Sequence, residues 1–540
     1  MTAHWRNGGR SALTDLLARE WDVIVIGGGI TGAGILLEAS RRGLTVLLVE
    51  QRDFAWGTSS RSSKLVHGGL RYLKEGQFAL TRESVQERQH LLQHAAGLVE
   101  PQSFAFGDYE GRKPGKRMFL LGLAIYDRMA GQKGRHYFGL NEFGALAPNV
   151  STVGLKGGMV YTDAKTDDAR LVMRVLQEAQ QLGGVAVNYM AAESLLRVDG
   201  GGVRGVRLRD GVSGAVHKVR AKLVISATGA WADGLRTQGS SSGKAAAAKP
   251  RLRPLRGSHL VLPAWRLPLA QAISLMHPLD GRPVFAFPWE GVTLVGTTDV
   301  DHKDDLSREA AITRAEVDYL MAAVHDQFPQ LGLQERDVIA SYAGVRPVID
   351  SGKADPSKEG RDHALWLEDG LLTVTGGKLT TFRVIALDAL KLAATLLPEW
   401  RDKLEPQPVF GAAAGATAAR GLPYQRHLPA GQARRLQGRY GALAQELIAA
   451  AQPGELALIA GTETIWAQLR WAARCESVQK LEDLMLRRSR LGIQLRGGGV
   501  DILGRIRAIC QPELGWSDER WDAEQAAYLA LWNTHYSLPA

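Results

Sequence analysis

Cysteine is nearly missing from this chain: Cys475 and Cys510 are the two in 540 residues. Neither has metal-ligand or redox spacing, so no metal site is expected and a reducing compartment is. No run of about 18 apolar residues occurs, which argues against a membrane-spanning helix. The N-terminal MTAHWRNGGRSALTDLLARE lacks the continuous apolar core of a secretory signal. Internal repeats are missing too. Acidic side chains are the minority charge, 56 against 66 Lys and Arg, leaving +10. That surplus suits an acidic substrate, a nucleic acid or an anionic lipid surface. No zinc spacing, helix-turn-helix cue or aromatic–basic RNA motif accompanies it, so nucleic acid is not an expected partner. What remains is a protein of the cytosolic side with ordinary composition, 45% hydrophobic and 23% charged, long enough for several domains and a sizeable core.

The first folded pattern begins after a polar leader. DVIVIGGG reads as a short buried strand entering a glycine turn, ITGAGILLEASRRG has helical spacing, and LTVLLVE is a second apolar strand. This βαβ unit has the size of a dinucleotide-binding start. Glu75 to Gly97 is polar and helical, and 170–183 is helical again. Residues 185–226 carry short strands broken by GGG and DG, a meander ending in LVISATGAW. GSSSGKAAAAKP, Gly239 to Pro250, is low-complexity and reads as a surface loop. HLVLP, PVFAFPW and VTLVGTTD suggest an antiparallel sheet. GLLTVTGGKLTTFRVIALDALKLAATLL returns to strand, glycine turn and helix, and from about residue 400 the pattern is helical.

Gly27, Gly29 and Gly32 form G-x-G-x-x-G between strand and helix. The first permits a tight turn, the second lets the backbone approach a pyrophosphate, and the third lets helix and strand pack closely. Glu50 closes the second strand 18 residues after Gly32, where a carboxylate can accept a ribose hydroxyl. The chain then enters TSSRSSKLVHGGLRYL, Thr58 to Leu73, instead of more helix–strand alternation. Ser59, Ser60, Ser62 and Ser63 at a helix start can bond phosphates and ribityl hydroxyls, and Gly68 and Gly69 let the backbone approach a planar ring. FAD is therefore favoured over NAD.

IGGGITGAG, TSSRSSKLVHGGLRYL, GSHLVLP, VGTTDV, YAGVRP and TGGKLTTFR occur in an order that resembles the FAD-dependent, respiratory, quinone-reducing glycerol-3-phosphate dehydrogenases. VQKLEDLMLRRSRLG is similar to that family's helical-cap motif. The resemblance implies an α/β fold: an FAD-binding Rossmann-like domain of the glutathione-reductase or amino-acid-oxidase type, an antiparallel-sheet substrate domain and a helical C-terminal cap. It implies a leader at 1–20, FAD-binding parts near 21–75, 150–235 and 345–400, substrate-domain parts near 76–149 and 251–344, and a helical domain at 401–540.

The implied reaction oxidises sn-glycerol 3-phosphate to dihydroxyacetone phosphate, with electrons passing through FAD to ubiquinone or a related quinone. An oxidase releasing hydrogen peroxide is the near alternative, and a flavoprotein of this fold acting on another hydroxy or amino acid is a further one. Thr58, Ser59, Ser60, Ser63, Lys64, His67, Gly68 and Gly69 would follow the cofactor, meeting Ala227, Thr228 and Gly229 and then Gly376, Gly377, Leu379 and Thr380. Arg71 and Tyr72 would reach the substrate end. Arg346 in GVRP suits a phosphate because its planar fork donates two parallel bonds, and Arg361 is a second clamp candidate. Lys378 would stabilise negative charge at the flavin or substrate. His259 and His67 are candidate bases, since histidine titrates near neutral pH.

A quinone-reducing enzyme must also reach lipid. Arg112, Lys113, Lys116 and Arg117 precede MFLLGLAIY, too short to span. It either dips into a headgroup layer or is a buried helix of the substrate domain. The expected location is peripheral, on the cytoplasmic side of the inner membrane, partly cytoplasmic, with a homodimer as an expected assembly.

Overall fold

The computed structural model of the chain describes residues 3–6, 8–70, 73, 76–112, 115–131, 134–198, 201–237, 251–355, 359–360, 362–411 and 428–539. Arg71, Tyr72, Lys113, Arg361 and the 239–250 loop lie outside these residues.

The first sheet is built on β1 (Trp21–Ile26), followed by α1 (Ile30–Ser40) and β2 (Val46–Val49). β1 sits between β2 and Val216–Ser226, parallel to both, and Val185–Val187 and Leu371–Gly376 extend the sheet on either side. His363–Glu368 closes one edge, antiparallel. Both faces are covered, which is why the strands read as unbroken apolar runs. Val23, Val25, Val46 and Leu48 point into a core shared with α1, Asp168–Gln181 and Phe382–Leu396. Ile24, Ile26, Leu47 and Val49 point the other way, against Val203–Asp210 and its neighbours in the meander.

The leader is folded onto this domain. His4 and Trp5 are buried, and the Trp5 indole donates to the Ala186 carbonyl at 2.8 Å. Leu13 and Leu17 enter the core on the meander side. Two isolated apolar residues and a tryptophan carry too little periodicity to announce this from sequence.

The second sheet runs through Val300–Asp301, Leu252–Pro263, Val292–Gly296, Pro283–Trp289, Ala272–Met276, Val99–Tyr109, Leu155–Thr166 and Leu65–Val66. Ala340–Ile349 pairs with Leu252–Pro263 over ten register positions. The expected antiparallel sheet thus contains one parallel pair, Ala272–Met276 with Val99–Tyr109. Leu65–Val66 and Leu155–Thr166, expected on the nucleotide side, instead pair with each other in this second sheet. The two ends of the 58–166 stretch therefore carry the chain between the sheets. Helix Arg314–Gln327 covers one face. The C-terminal helices cover the other, burying Trp466, Trp521 and Trp532 with Phe287 and Trp289.

Candidate active site

The cofactor end is built by the β1–α1 turn. Gly27 has φ +115°, and a Cβ there would lie 2.4 Å from the Ala227 carbonyl oxygen. A Cβ on Gly32 would lie 1.9 Å from the Gly27 oxygen, so α1 can approach the turn only at a glycine. Gly29 is confined by a side chain instead of by backbone: a Cβ there would lie 3.1 Å from Ser59 Oγ. Ser59 Oγ accepts from the Ile30 amide at 3.0 Å, bracing the first turn of α1. Glu50 accepts from the Gly28 amide at 2.7 Å and the Arg52 amide at 2.9 Å. Burial pushes its carboxyl above the usual range, while these amides pull it down.

Gly27, Gly29, Glu50 and Ser59 line a cavity of about 370 Å³, with Thr58, Ala227, Thr228 and Gly229 on its walls, while Gly32 stands behind it in the helix–turn packing. The turn, the helix N-terminus and the carboxylate fit a dinucleotide diphosphate and ribose. A second cavity of about 310 Å³ continues from it, sharing Thr58, Ser62, Gly377, Lys378 and Leu379 with the first. Ser63, His67, Gly69, Thr380 and Arg346 line this second chamber, together with Phe104, Tyr161 and Phe285. The two cavities thus adjoin, one at a phosphate-type turn and the other a chamber with aromatic walls and arginines, an arrangement that suits FAD with a small anionic substrate.

Three residues of the Thr58–Leu73 stretch are placed otherwise than expected. Ser60 is buried and turned from both cavities, its carbonyl accepting from Lys64 Nζ at 3.0 Å and Arg490 at 2.6 Å. Lys64 is fully buried and paired with Asp168 at 3.1 Å. Burial, then the neighbouring Arg490, pull its ammonium down to about 7. Gly68 donates to Tyr126 Oη at 2.9 Å, and a Cβ there would meet Val85 at 2.3 Å. Its smallness serves packing against helices, not approach to a ring. The single helical turn at Thr58–Ser60 and the left-handed Lys64 (φ 56°) turn Ser60 and Lys64 inward while Ser59, Ser62 and Ser63 face the cavities, a division that the run of serines does not announce.

His259 also sits behind the wall. It is 1% exposed, stacks on Tyr342 at 4.6 Å and bonds Ser63 Oγ through Nε2 at 3.0 Å. Burial, then Lys64 and Arg346, push its pKa well below that of free histidine. It reaches the chamber only through Ser63. His67 lines the chamber itself. Lys378 stands where the two cavities meet, hydrogen-bonded to Ser84. Burial pulls it down to about 8, against Glu83 and Asp362.

Arg346 lies on Ala340–Ile349 with its guanidinium 3.1 Å from Asp299 Oδ1 and 3.0 Å from Thr297 Oγ1. Asp299 and Arg282 line the same chamber and were not singled out from the sequence. VGTTDV contains Asp299, yet nothing in its spacing distinguishes a site carboxylate from a turn residue.

A buried charge network fastens the helical domain to the loop after β2. Asp53 accepts from Arg487 Nε at 2.6 Å, from Arg488 Nη1 and Nη2 at 2.7 Å each, and from Asn188 at 2.9 Å. Arg170 pairs with Glu476 at 2.6 Å, and Arg439 with Asp167. The LRRSR stretch thus supports the cofactor loop from behind. No group of three or more His, Cys, Asp or Glu able to hold a metal occurs among the described residues.

Residues 22–383 match the FAD dependent oxidoreductase family, and residues 405–521 match the C-terminal domain of alpha-glycerophosphate oxidase. The aerobic glycerol-3-phosphate dehydrogenase of Staphylococcus haemolyticus is 35% identical over 493 residues, covering 88% of this chain and 87% of that protein. That of Staphylococcus aureus is also 35% identical, over 87% of this chain and 86% of its own. The crystal structure of the glycerol-3-phosphate dehydrogenase from Bacillus halodurans complexed with FAD superposes with a TM-score of 0.76 at 28% identity, covering 98% of both chains.

Proposed function

The chain belongs to the FAD-dependent oxidoreductase family and, within it, to the glycerol-3-phosphate dehydrogenases, and from that premise we propose that it oxidises sn-glycerol 3-phosphate to dihydroxyacetone phosphate. The observation that carries the reading is the adjacency of the two cavities, which share Lys378 in their walls, with Arg346 in the outer one. Bound FAD supplies a two-electron acceptor for the hydride of the carbinol carbon. Gly27, Gly29, Glu50, Thr58 and Ser59 hold the nucleotide portion, and Ala227 to Gly229 form the facing wall.

In the outer chamber Arg346 binds the substrate phosphate. Lys378 supplies positive charge next to the reacting carbon. The carbinol proton goes to a group on the same wall, and His67, which lines the chamber, is better placed than His259. A proton bound by His259 would cross Ser63 and then charge a fully buried imidazole, which burial makes costly. Phe104, Tyr161 and Phe285 give the chamber an apolar wall, beside which these charge interactions are stronger than in open water.

The electron acceptor is a membrane quinone in this reading. No helix among the described residues is long and apolar enough to cross a membrane. Helix Lys116–Ala130 offers a monotopic contact instead. Its inner face buries Leu123 and Tyr126, while Met118 and Leu121 are 65% and 58% exposed. Arg117 and Arg128 are exposed beside them, and Lys116 lies over the Tyr137 ring at 3.1 Å. Each such cation contributes on the order of 1 kcal/mol at an anionic surface. In this reading the helix packs through Leu123 and Tyr126 and offers Met118 and Leu121 to lipid.

The test is steady-state turnover with sn-glycerol 3-phosphate and a ubiquinone analogue, quantifying dihydroxyacetone phosphate. One product per quinone reduced is expected, in the presence of vesicles containing anionic lipid. Oxygen uptake with stoichiometric peroxide in place of quinone reduction would move the chain to the oxidases. Absence of the ketone product would sink the substrate assignment.

A further inference from the structure

Arg346, the residue read as the phosphate ligand, is already heavily committed to the protein. Its Nη1 donates to the Thr298 carbonyl at 3.3 Å and to Asp299 Oδ1 at 3.1 Å, and its Nη2 donates to Thr297 Oγ1 at 3.0 Å. Its fork lies flat over Gly257, where a Cβ would come within 2.2 Å of Nη2. Such a guanidinium is fixed in place and has few donors to spend.

The other oxygen of Asp299 faces a second arginine. Arg282 Nη2 lies 3.5 Å from Asp299 Oδ2, and among the described residues that is the one ion pair of this guanidinium. Asp299 is 4% exposed at its side chain, whereas Arg282 is 29% exposed and lines the chamber with Arg346. The three residues come from three separate segments: Arg282 precedes Pro283–Trp289, Asp299 follows Val292–Gly296, and Arg346 lies within Ala340–Ile349. Two like charges in one small chamber repel unless a carboxylate stands between them, and Asp299 stands there with one oxygen toward each.

We propose that Arg282 is a second phosphate-binding arginine of this site and that Asp299 is its positioning residue, tying Arg282 to Arg346 so that the pair presents one anion cradle. The proposal rests on the substrate reading given above. The two guanidiniums and the carboxylate leave a net charge of one plus before substrate arrives. A dianionic phosphate, with four oxygens to satisfy, finds in Arg282 the donors that Arg346 has spent on Thr297 and Thr298. The pairing favours a phosphate ester over a neutral polyol or a zwitterionic amino acid, and this selection works by charge and fork geometry, not by shape.

The experiment uses the FAD-loaded protein and follows flavin reduction by sn-glycerol 3-phosphate under anaerobic conditions. Arg282→Ala should raise the half-saturating substrate concentration roughly 10- to 100-fold, the loss of charge-assisted hydrogen bonds, with the limiting rate changed far less. Arg282→Lys should recover part of that loss, since charge returns without the fork. Asp299→Asn should also raise half-saturation, and adding it to Arg282→Ala should raise it by less than the product of the two separate effects, because the strut then holds Arg346 alone. Half-saturation unchanged in Arg282→Ala overturns the proposal, as does full additivity of the two substitutions. If Arg346→Ala weakens the substrate while Arg282→Ala does not, the substrate reading survives and this inference alone falls. A wild-type flavin that sn-glycerol 3-phosphate fails to reduce removes both.

Discussion

Replacing Asp53 by asparagine should loosen the helical domain and the cofactor loop together. The carboxylate takes three hydrogen bonds from two arginines that are themselves 1% and 2% exposed. Asparagine keeps one acceptor oxygen and puts an amide against a guanidinium nitrogen, donor to donor. Breaking a buried ion pair from one side costs about 3–5 kcal/mol. The lower end applies here, because Arg487 retains Asp483 at 2.6 Å and Arg488 retains the Glu476 carbonyl at 3.0 Å. Burial alone would push the Asp53 carboxyl up, but Arg488 and Arg487 hold it below its ordinary value. A carboxyl lowered on folding stabilises at and above the ordinary carboxylate range and loses that contribution as pH falls through its folded value. The assay is thermal unfolding at neutral pH, followed by flavin fluorescence and far-UV circular dichroism. Asp53→Asn should lower the midpoint by several degrees and release flavin no later than helix is lost. Glu193→Gln, which removes an exposed partner of Arg207 and Arg209, is the control and should shift the midpoint little. Equal midpoints for the two variants would refute the argument that this carboxylate fastens the loop after β2.

Three further outcomes are expected. Arg346→Ala should raise KM for sn-glycerol 3-phosphate at least tenfold with FAD still bound, checked by steady-state kinetics on protein of known flavin content. Gly29→Val should abolish flavin retention, because the added side chain crowds Ser59 and enters the cavity that Gly29 lines, and the flavin-to-protein absorbance ratio of the purified variant measures this. Lys378, lowered to about 8 mainly by burial, carries its charge below that pH and loses it above. The limiting rate of flavin reduction should therefore fall as pH rises through about 8, and Lys378→Arg, charged throughout, should flatten that limb. A rate that climbs through the same window would assign Lys378 to proton uptake instead.

The nucleotide half of the molecule was legible in the sequence because its signals are local. Val23 and Val25 face one layer and Ile24 and Ile26 the other, so an unbroken apolar run followed by G-x-G-x-x-G specifies strand, turn and helix within a dozen residues. Sheet membership of Leu65–Val66 and Leu155–Thr166 was not, since a two-residue strand has no period and its partner lies a hundred residues on. The serines of Thr58–Leu73 announced a polar function, yet whether Ser60 or Ser59 faces the cavity depends on a short turn whose backbone angles leave no mark in composition. Asp53 looked like an ordinary loop residue because its arginines are 434 and 435 positions away. Arg282 was invisible for a related reason. An arginine opening a strand is common, and only the fold brings it to the same carboxylate as Arg346.

The most direct test of the account is an anaerobic titration of the purified flavoprotein with sn-glycerol 3-phosphate, recording flavin absorbance. The account predicts bleaching of the oxidised flavin that approaches completion near one substrate per flavin and is reversed by a ubiquinone analogue. A bound flavin that stays oxidised in excess substrate would contradict it, leaving the family fold without the family's substrate.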